Sequence, residues 1–270
     1  MSAVPTVDVL IPTYRRPTAL AVTLTSLVGQ THRPLRIVVS SQSPEAEPIL
    51  SDEAVAVARV LRAQGREVEA VRHLPRRGMA EHRQSLLDRA TAPFVLFLDD
   101  DVILESDLVE RLVRSIQAAD CGFIGSALVG LSFEGDRRPE QEAVEFWDGP
   151  VTPEDVRPGT PAWDRHRLHS AANLHHLRHR LAPDSDRLYR VAWIGGCVLF
   201  DTARLRDAGG FRFWTELPPE HAGEDVEAQL RVAARWGGAG LFPSGAYHQE
   251  LPTTIPDRRV DAPHVLARPA

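Results

Sequence analysis

The strongest constraint on this chain is the alternation of short apolar runs with helical patterns through its first 120 residues. "VDVLI" (7–11) is an apolar run ended by Pro12 and reads as a strand. "PTALAVTLTSLVGQ" (17–30) carries apolar residues at helical spacing, with Pro17 suited to a first turn. "LRIVVS" (35–40) is a second strand, 45–64 a helix ending at Gly65, and "EVEAVRH" (67–73) a third strand. "MAEHRQSLLDRA" (79–90) is a helix, followed by the strand "FVLFL" (94–98) and a helix over about 105–119. Repeated strand–helix units dictate a doubly wound, mainly parallel α/β sheet with helices on both faces. Ligands of such sheets gather beyond the carboxyl ends of the strands.

Three consecutive carboxylates, Asp99, Asp100 and Asp101, stand at such a strand end. Like charges side by side repel, and burying them uncompensated is costly. One explanation is an acidic turn before the next helix, favoured by the helix dipole. The other is a divalent cation. Asp99 and Asp101 are two apart and point the same way in an extended segment, where they could hold Mg²⁺ or Mn²⁺ and leave positions for phosphate oxygens. The cation would offset charge on a leaving diphosphate. Location at the strand end favours the cation.

Composition narrows the chemistry. All 31 basic residues are arginine, which excludes a Schiff-base lysine and a Walker-type phosphate lysine. Anions must be met by Arg, backbone N–H groups or a metal. The net charge of −6 argues against broad nucleic-acid or anionic-membrane binding. Cys121 and Cys197 lie in apolar runs and read as small buried hydrophobes. No signal-peptide pattern and no stretch of about 18 apolar residues is visible, so a cytoplasmic enzyme or binding protein is expected. P-loop, GxGxxG, nucleophile-elbow and CxxC motifs are absent.

Regularity fades between 130 and 187, which reads as an inserted loop region with one helix, and returns with "RVAWIGGCVLFD" (190–201), a strand pair or a strand broken at Gly195-Gly196. The two glycines suggest close backbone approach. A short helix at 202–208 ends at Gly209-Gly210, and 224–237 is an amphipathic helix opened by Glu224 and Asp225. Carboxylates there cap the helix or, beside a metal, supply a general base. His248 follows the strand-like "AGLF" and is either structural or a metal ligand. His175 and His179 share a helical face, as a zinc pair would, but no carboxylate motif accompanies them, so a solvated or acceptor-facing helix is preferred. Arg76, Arg77 and Arg83 near a glycine turn suit diphosphate or surface charge equally. Residues 251–270 show no periodic pattern and read as a tail.

In order, these pieces resemble the family 2 glycosyltransferases, nucleotide-sugar enzymes of the GT-A fold. "VLIPTYRRP" (9–17) is similar to the family's first strand and nucleotide loop, and "RGMAEHRQSLLDRA" (77–90) to its Gly-x-Ala…Arg-Asn stretch, with Arg83 on the arginine. "FVLFLDDDVIL" (94–104) resembles the Asp-x-Asp metal segment, "IGGCVLFDTARLRDAGGF" (194–211) the acceptor-side stretch, and "GEDVEAQLR" (223–231) the Glu-Asp…Arg segment. The resemblance implies one domain over 1–250, with a nucleotide-sugar half (1–128), a variable acceptor-side insertion (129–189) and an acceptor half (190–250). It implies inverting transfer from a UDP-, GDP- or dTDP-sugar to an acceptor hydroxyl, with Asp225 as base. Pro12, Thr13, Tyr14, Arg15, Ser40, Arg83, Asp99 and Asp100 would meet the nucleotide. Asp101, Asp99 and His248 would hold Mn²⁺ or Mg²⁺, while Trp193, Gly195, Gly196, Trp214, Glu216 and Glu224 would face the acceptor. Two positions depart from the family pattern: Ser40 replaces the aspartate that usually ends the second strand, and Gln84 replaces an asparagine. The rival functions are a nucleotidyltransferase, disfavoured because "PTYRRP" lacks glycine, and a catalytically silent nucleotide-binding domain of the same fold.

Overall fold

The computed structural model describes residues 4–253, 255 and 258–266. Part of the expected 251–270 tail, at 254, 256, 257 and 267–270, lies outside the described residues, as do 1–3. The first half follows the expected alternation: β1 (Val7–Thr13), α1 (Pro17–Val28), β2 (Leu35–Ser41), α2 (Asp52–Ala63), β3 (Glu67–Arg72), α3 (Met79–Asp88) and β4 (Phe94–Leu98). Then come β5 (Val102–Leu104), α4 (Leu108–Ala119) and β6 (Phe123–Gly125). The insertion holds short 3-10 turns, α5 (Asn173–Leu181) and β7 (Arg187–Tyr189). The last part comprises β8 (Cys197–Asp201), α6 (Thr202–Asp207), α7 (Glu224–Trp236), β9 (Gly238–Phe242), β10 (Ala246–His248) and α8 (Ala262–Val265).

Eight strands form one sheet in the order β3-β2-β1-β4-β8-β6-β9-β7, and β10 pairs with β5 in a separate ribbon. The pairings β1–β2, β1–β4, β2–β3 and β6–β9 are parallel. β8 runs antiparallel to both β4 and β6, and β7 antiparallel to β9, so the far half is mixed. Side-chain alternation builds the two cores. Val7, Val9 and Ile11 of β1 pack with Leu20 and Leu24 of α1 and Leu61 of α2. Leu10 points the other way, into a cluster with Leu86 and Leu87 of α3 and Val232 of α7. The insertion joins that second core through Leu168, Leu174 and Leu177.

Several boundaries differ from the sequence expectation for local reasons. β1 runs through Pro12 to Thr13. The Val7 N–H points to Pro34 of the β2 side, so the even positions face β4, whose ladder stops at Leu10. The missing Pro12 N–H therefore breaks no pairing. α2 begins at Asp52 because the Ser51 hydroxyl caps it, accepting from the Ala54 N–H at 3.3 Å. The chain before it, with Pro44 and Pro48, is held by Arg72, which donates to the carbonyls of Ser43 (2.7 Å), Pro44 and Glu47 (2.5 Å). α4 begins at Leu108, later than 105, because 102–104 pairs with β10 and the Glu105 N–H continues that pairing to the Gly245 carbonyl at 2.8 Å. Both cysteines are buried and free, and burial pushes their thiols up to about 12.

Candidate active site

The three aspartates lie at a turn between β4 and β5, beyond the carboxyl end of the sheet's inner strands. The segment turns at Asp100 and Asp101 and does not run extended, so the alternation that would point Asp99 and Asp101 the same way does not apply, although both line the same cleft. The Asp99 Oδ1 accepts from Arg83 Nη2 at 2.9 Å, whereas the Asp101 Oδ2 accepts from Arg16 Nη1 at 2.6 Å. Asp100 sits between, its Oδ2 accepting from the Thr13 hydroxyl at 2.6 Å and its carbonyl from the Thr23 hydroxyl at 2.8 Å. Two arginines from different elements thus offset the repulsion of three adjacent carboxylates. Burial pushes the Asp100 carboxyl up to about 6. Burial also raises Asp101, but His248 and Arg16 outweigh it and hold that carboxyl below its ordinary range.

Arg83 is the pin between the two halves of the sheet. Its Nε donates to Glu224 Oε1 at 2.9 Å, so one buried guanidinium joins the end of β4 to the first residue of α7. The next residue, Asp225, faces the cleft, and burial beside Glu224 pushes its carboxyl up to about 7. Gly223 precedes them at φ +76°, and a Cβ there would lie 2.1 Å from Asp261 Oδ1. A side chain at 223 would therefore push the start of α7 away from the residue that leads into α8. Gly196 does the same service at β8: its carbonyl accepts from the Asp99 N–H at 2.9 Å, and a Cβ would meet Leu128 Cδ1 at 2.4 Å.

The opposite wall comes from the stretch before β8, from β10 and from the insertion. Gln229 of α7 accepts from the Ile194 N–H (2.9 Å) and donates to the Ile194 carbonyl (2.7 Å), which fixes Trp193 and Gly195 at the cleft. His166 of the insertion stacks on Trp193 with ring centres 5.9 Å apart and planes within 8°. His169, half-buried beside them, bonds the Tyr189 hydroxyl at 3.0 Å, and its desolvation pushes its imidazole down to about 4. His248 Nε2 lies 3.4 Å from Asp101 Oδ2 while its Nδ1 accepts from the Glu250 N–H at 3.0 Å. The contact with Asp101 raises the His248 imidazole above its ordinary value.

These walls enclose a cleft of about 590 Å³. It brings together Pro12, Thr13, Tyr14, Arg83, Asp99, Asp100 and Asp101 with Trp193, Gly195, Gly196, Glu224, Asp225 and His248. Other residues named from the sequence stand apart from it. Arg15 pairs with Glu47 at 3.2 Å on the surface. The Ser40 hydroxyl is buried against His82 Nε2 at 2.8 Å. Trp214 and Glu216 lie on a 3-10 turn (212–216) outside the cleft lining, with Glu216 exposed. Glu224 reaches the cleft, but its carboxylate is committed to Arg83. Arg76 stacks 3.8 Å over the Tyr14 ring, and His175 and His179 meet each other away from the cleft, ring centres 4.5 Å apart. No group of three or more His, Cys, Asp or Glu among the described residues converges as a ready-made metal centre.

Sequence reasoning missed Arg16, Trp163, His166, His169, Arg258 and Asp261, all of which line the cleft. A signal existed for Arg16, since three adjacent carboxylates require a cation and it closes the loop after β1. The residues from the insertion and from 258–261 carried no comparable signal.

The family model described as Glycosyl transferase family 2 matches residues 8–170. Among solved structures, S. aureus TarS 1-349 aligns with a TM-score of 0.56 at 14% identity, covering 90% of this chain and 60% of that one. The same protein in complex with UDP-GlcNAc gives 0.56 at 13%, covering 93% and 60%. A mannosyltransferase from Pyrobaculum calidifontis in complex with GDP-Man and Mn²⁺ gives 0.53 at 17%, covering 88% and 57%. The chain thus spans about 60% of the length of these structures, and at this identity the likeness establishes the shared GT-A fold. No curated protein sequence matches the chain.

Proposed function

The chain belongs to glycosyl transferase family 2, and from that premise we propose that it moves a sugar from a nucleoside-diphosphate sugar to an acceptor hydroxyl with inversion at the anomeric carbon. One observation carries the reading. Arg83 clamps Asp99 at the end of β4 to Glu224 at the start of α7, and this sets the Asp225 carboxylate in the same cleft as Asp101 and His248. A phosphate-end and a base-end are thereby joined across one cavity. The structural neighbours in complex with UDP-GlcNAc and with GDP-Man support a nucleotide-sugar donor.

In this proposal the acceptor hydroxyl attacks the anomeric carbon from the face opposite the diphosphate, so one displacement inverts the centre. Asp225 accepts the hydroxyl proton as the bond forms, and its raised affinity for protons suits a base working near neutral pH. Thr13 and Tyr14 border the donor end, and Trp193 with Gly195 and Gly196 the acceptor end. Ring faces such as Trp193 suit the apolar faces of sugars. Because Ser40 is engaged by His82 below the surface, selection of the base falls to the loop after β1.

The donor chemistry of the site fits a divalent cation in part of the expected set. Asp101 would supply a carboxylate oxygen and His248 its Nε2, the ring proton moving to Nδ1 and the bond from the Glu250 N–H giving way, while Asp99 is directed to Arg83. Asp101 and His248 would hold Mn²⁺ or Mg²⁺, with diphosphate oxygens and water completing the shell. Such an ion supplies stabilisation of the negative charge on the departing diphosphate. The mannosyltransferase neighbour, in complex with Mn²⁺, supports a divalent cation in this fold.

The test is a panel of UDP-, GDP- and dTDP-sugars with Mn²⁺, read as release of free nucleoside diphosphate by the wild type and by Asp225→Asn, with water standing in as the hydroxyl acceptor. Release by the wild type and its collapse in the variant are expected. Equal release by both would remove Asp225 from the role of base, and nucleotide binding with no release from any donor, with water or with added sugar acceptors, would favour a silent nucleotide-binding domain.

A further inference from the structure

Arg16 occupies the position that matters most for the cation proposed above. It is the last residue before α1, with Pro17 opening the helix, and its side chain turns back into the cleft. Its Nη1 donates to Asp101 Oδ2 at 2.6 Å and lies 3.4 Å from Asp100 Oδ1. The pair is well shielded from water, with side-chain exposures of 16% for Arg16 and 5% for Asp101. It is therefore unlike the exposed pairs that contribute almost nothing. The other arm, Nη2, donates to the Pro252 carbonyl, in a segment whose neighbours Leu251 and Thr253 line the same cleft.

The oxygen that Arg16 holds is also the one that faces His248 Nε2, at 3.4 Å. A divalent cation shared by Asp101 and His248 would have to approach this oxygen. A guanidinium already 2.6 Å from it presents a like charge at contact range. The two positive charges exclude one another at this atom. If Arg16 gives up Asp101, its fork geometry no longer anchors the second arm, and the hold on Pro252 weakens with it.

We infer that Arg16 is a built-in counter-ion that a divalent metal displaces, and that its displacement unlatches the 251–253 segment from the cleft. This rests on the metal reading of the proposed function and goes beyond it by naming which residue of this chain the ion must compete with and what that competition moves. By linkage, whatever Arg16 contributes to holding the segment is subtracted from the affinity for the metal, and metal binding loosens the segment by the same factor.

Two measurements test it together. Mn²⁺ affinity is read by the loss of free-ion electron paramagnetic resonance signal, for the wild type and Arg16→Gln, without nucleotide and with UDP or GDP. Backbone hydrogen exchange is read for the peptide carrying Leu251 and Thr253, with and without Mn²⁺. The expected results are roughly ten-fold tighter Mn²⁺ binding by Arg16→Gln, within the range usual for linked sites, and Mn²⁺-induced faster exchange of that peptide in the wild type. In Arg16→Gln the peptide should exchange fast from the start and ignore Mn²⁺. Unchanged or weaker Mn²⁺ binding by the variant, beside clear binding by the wild type, overturns the displacement while leaving the metal reading intact. Tighter binding with no Mn²⁺ response of the peptide in the wild type reduces Arg16 to a background charge and overturns the latch. Failure of both proteins to bind Mn²⁺, even with UDP or GDP, overturns the metal reading and this inference with it.

Discussion

Arg83→Met tests whether the two halves of the cleft are joined as described. The substitution keeps most of the buried stem and removes the guanidinium. Glu224 then keeps a carboxylate of 5% exposure with its partner gone, whereas Asp99, at 36%, can turn to water. Two unit charges about 4 Å apart attract by about 4 kcal/mol at an effective dielectric of 20 and by about 1 kcal/mol in water. The Glu224 arm therefore dominates the loss and the Asp99 arm adds little. Relief of the arginine's own desolvation offsets part of this, which gives an expected net loss of about 3–5 kcal/mol, the usual result of removing one member of a buried pair. Urea unfolding with an unchanged slope would show it as a lowered midpoint. Adding Glu224→Gln in the same chain removes the stranded charge and should restore about 1–3 kcal/mol. A loss below about 1 kcal/mol, the range of exposed pairs, would refute the claim that Arg83 pins β4 to α7.

Further outcomes are expected at three residues. Asp225→Asn should lower turnover by roughly two to four orders of magnitude with nucleotide binding retained, measured as kcat beside the Kd for nucleotide. The same carboxyl gives a pH dependence: burial raises it to about 7, and the base works ionised, so kcat/KM should fall ten-fold per pH unit below 7 and level off above. For stability the sign is opposite. The folded state favours the neutral acid, so ionised Asp225 costs stability as pH rises through 7, and Asp225→Asn should gain most over the wild type at pH 8 and least at pH 5 in paired unfolding curves. Gly223→Ala, at φ +76° with Asp261 Oδ1 in the way, should cost at least about 1–2 kcal/mol in thermal unfolding. Ser40→Ala leaves the His82 ring without its 2.8 Å partner in a buried site, an expected loss of about 1–3 kcal/mol with little effect on turnover.

The half of the molecule that carries β1 to β4 was legible because its information is local. Period-2 runs and helical spacing survive without knowledge of partners, and Val7, Val9 and Ile11 against Leu10 display the two faces directly. The strands that escaped notice, β5, β6, β7 and β10, have three residues each, too few for a period to register, and exist through distant partners such as Val102 with His248. Strand direction is not written in periodicity either, which is why antiparallel β8 could not be told from a parallel strand.

The candidate site divides along the same line. A strand-end carboxylate cluster and an acidic helix start are local patterns, so Asp99 to Asp101 and Asp225 could be named. Arg16 and Arg83 reach them from other elements, and the assumption of an extended segment at 99–101 fails because the backbone turns at Asp100 and Asp101. Ser40 looked available for a base until His82, 42 positions away, took its hydroxyl. The aromatic wall of Trp163, His166 and Trp193 joins the insertion to the segment before β8, a contact no spacing rule announces.

The most direct test of the central claim is thermal stabilisation by UDP, GDP, dTDP and CDP, each with and without Mn²⁺. A ligand at about 100 times its dissociation constant adds roughly 2.7 kcal/mol, a shift of several degrees for a domain of this size. The account predicts a clear shift with one nucleoside diphosphate that grows when Mn²⁺ is present, the Mn²⁺-dependent growth being lost in Asp101→Asn. Absence of a shift with all four, with and without Mn²⁺, would contradict a nucleotide-sugar site in this cleft.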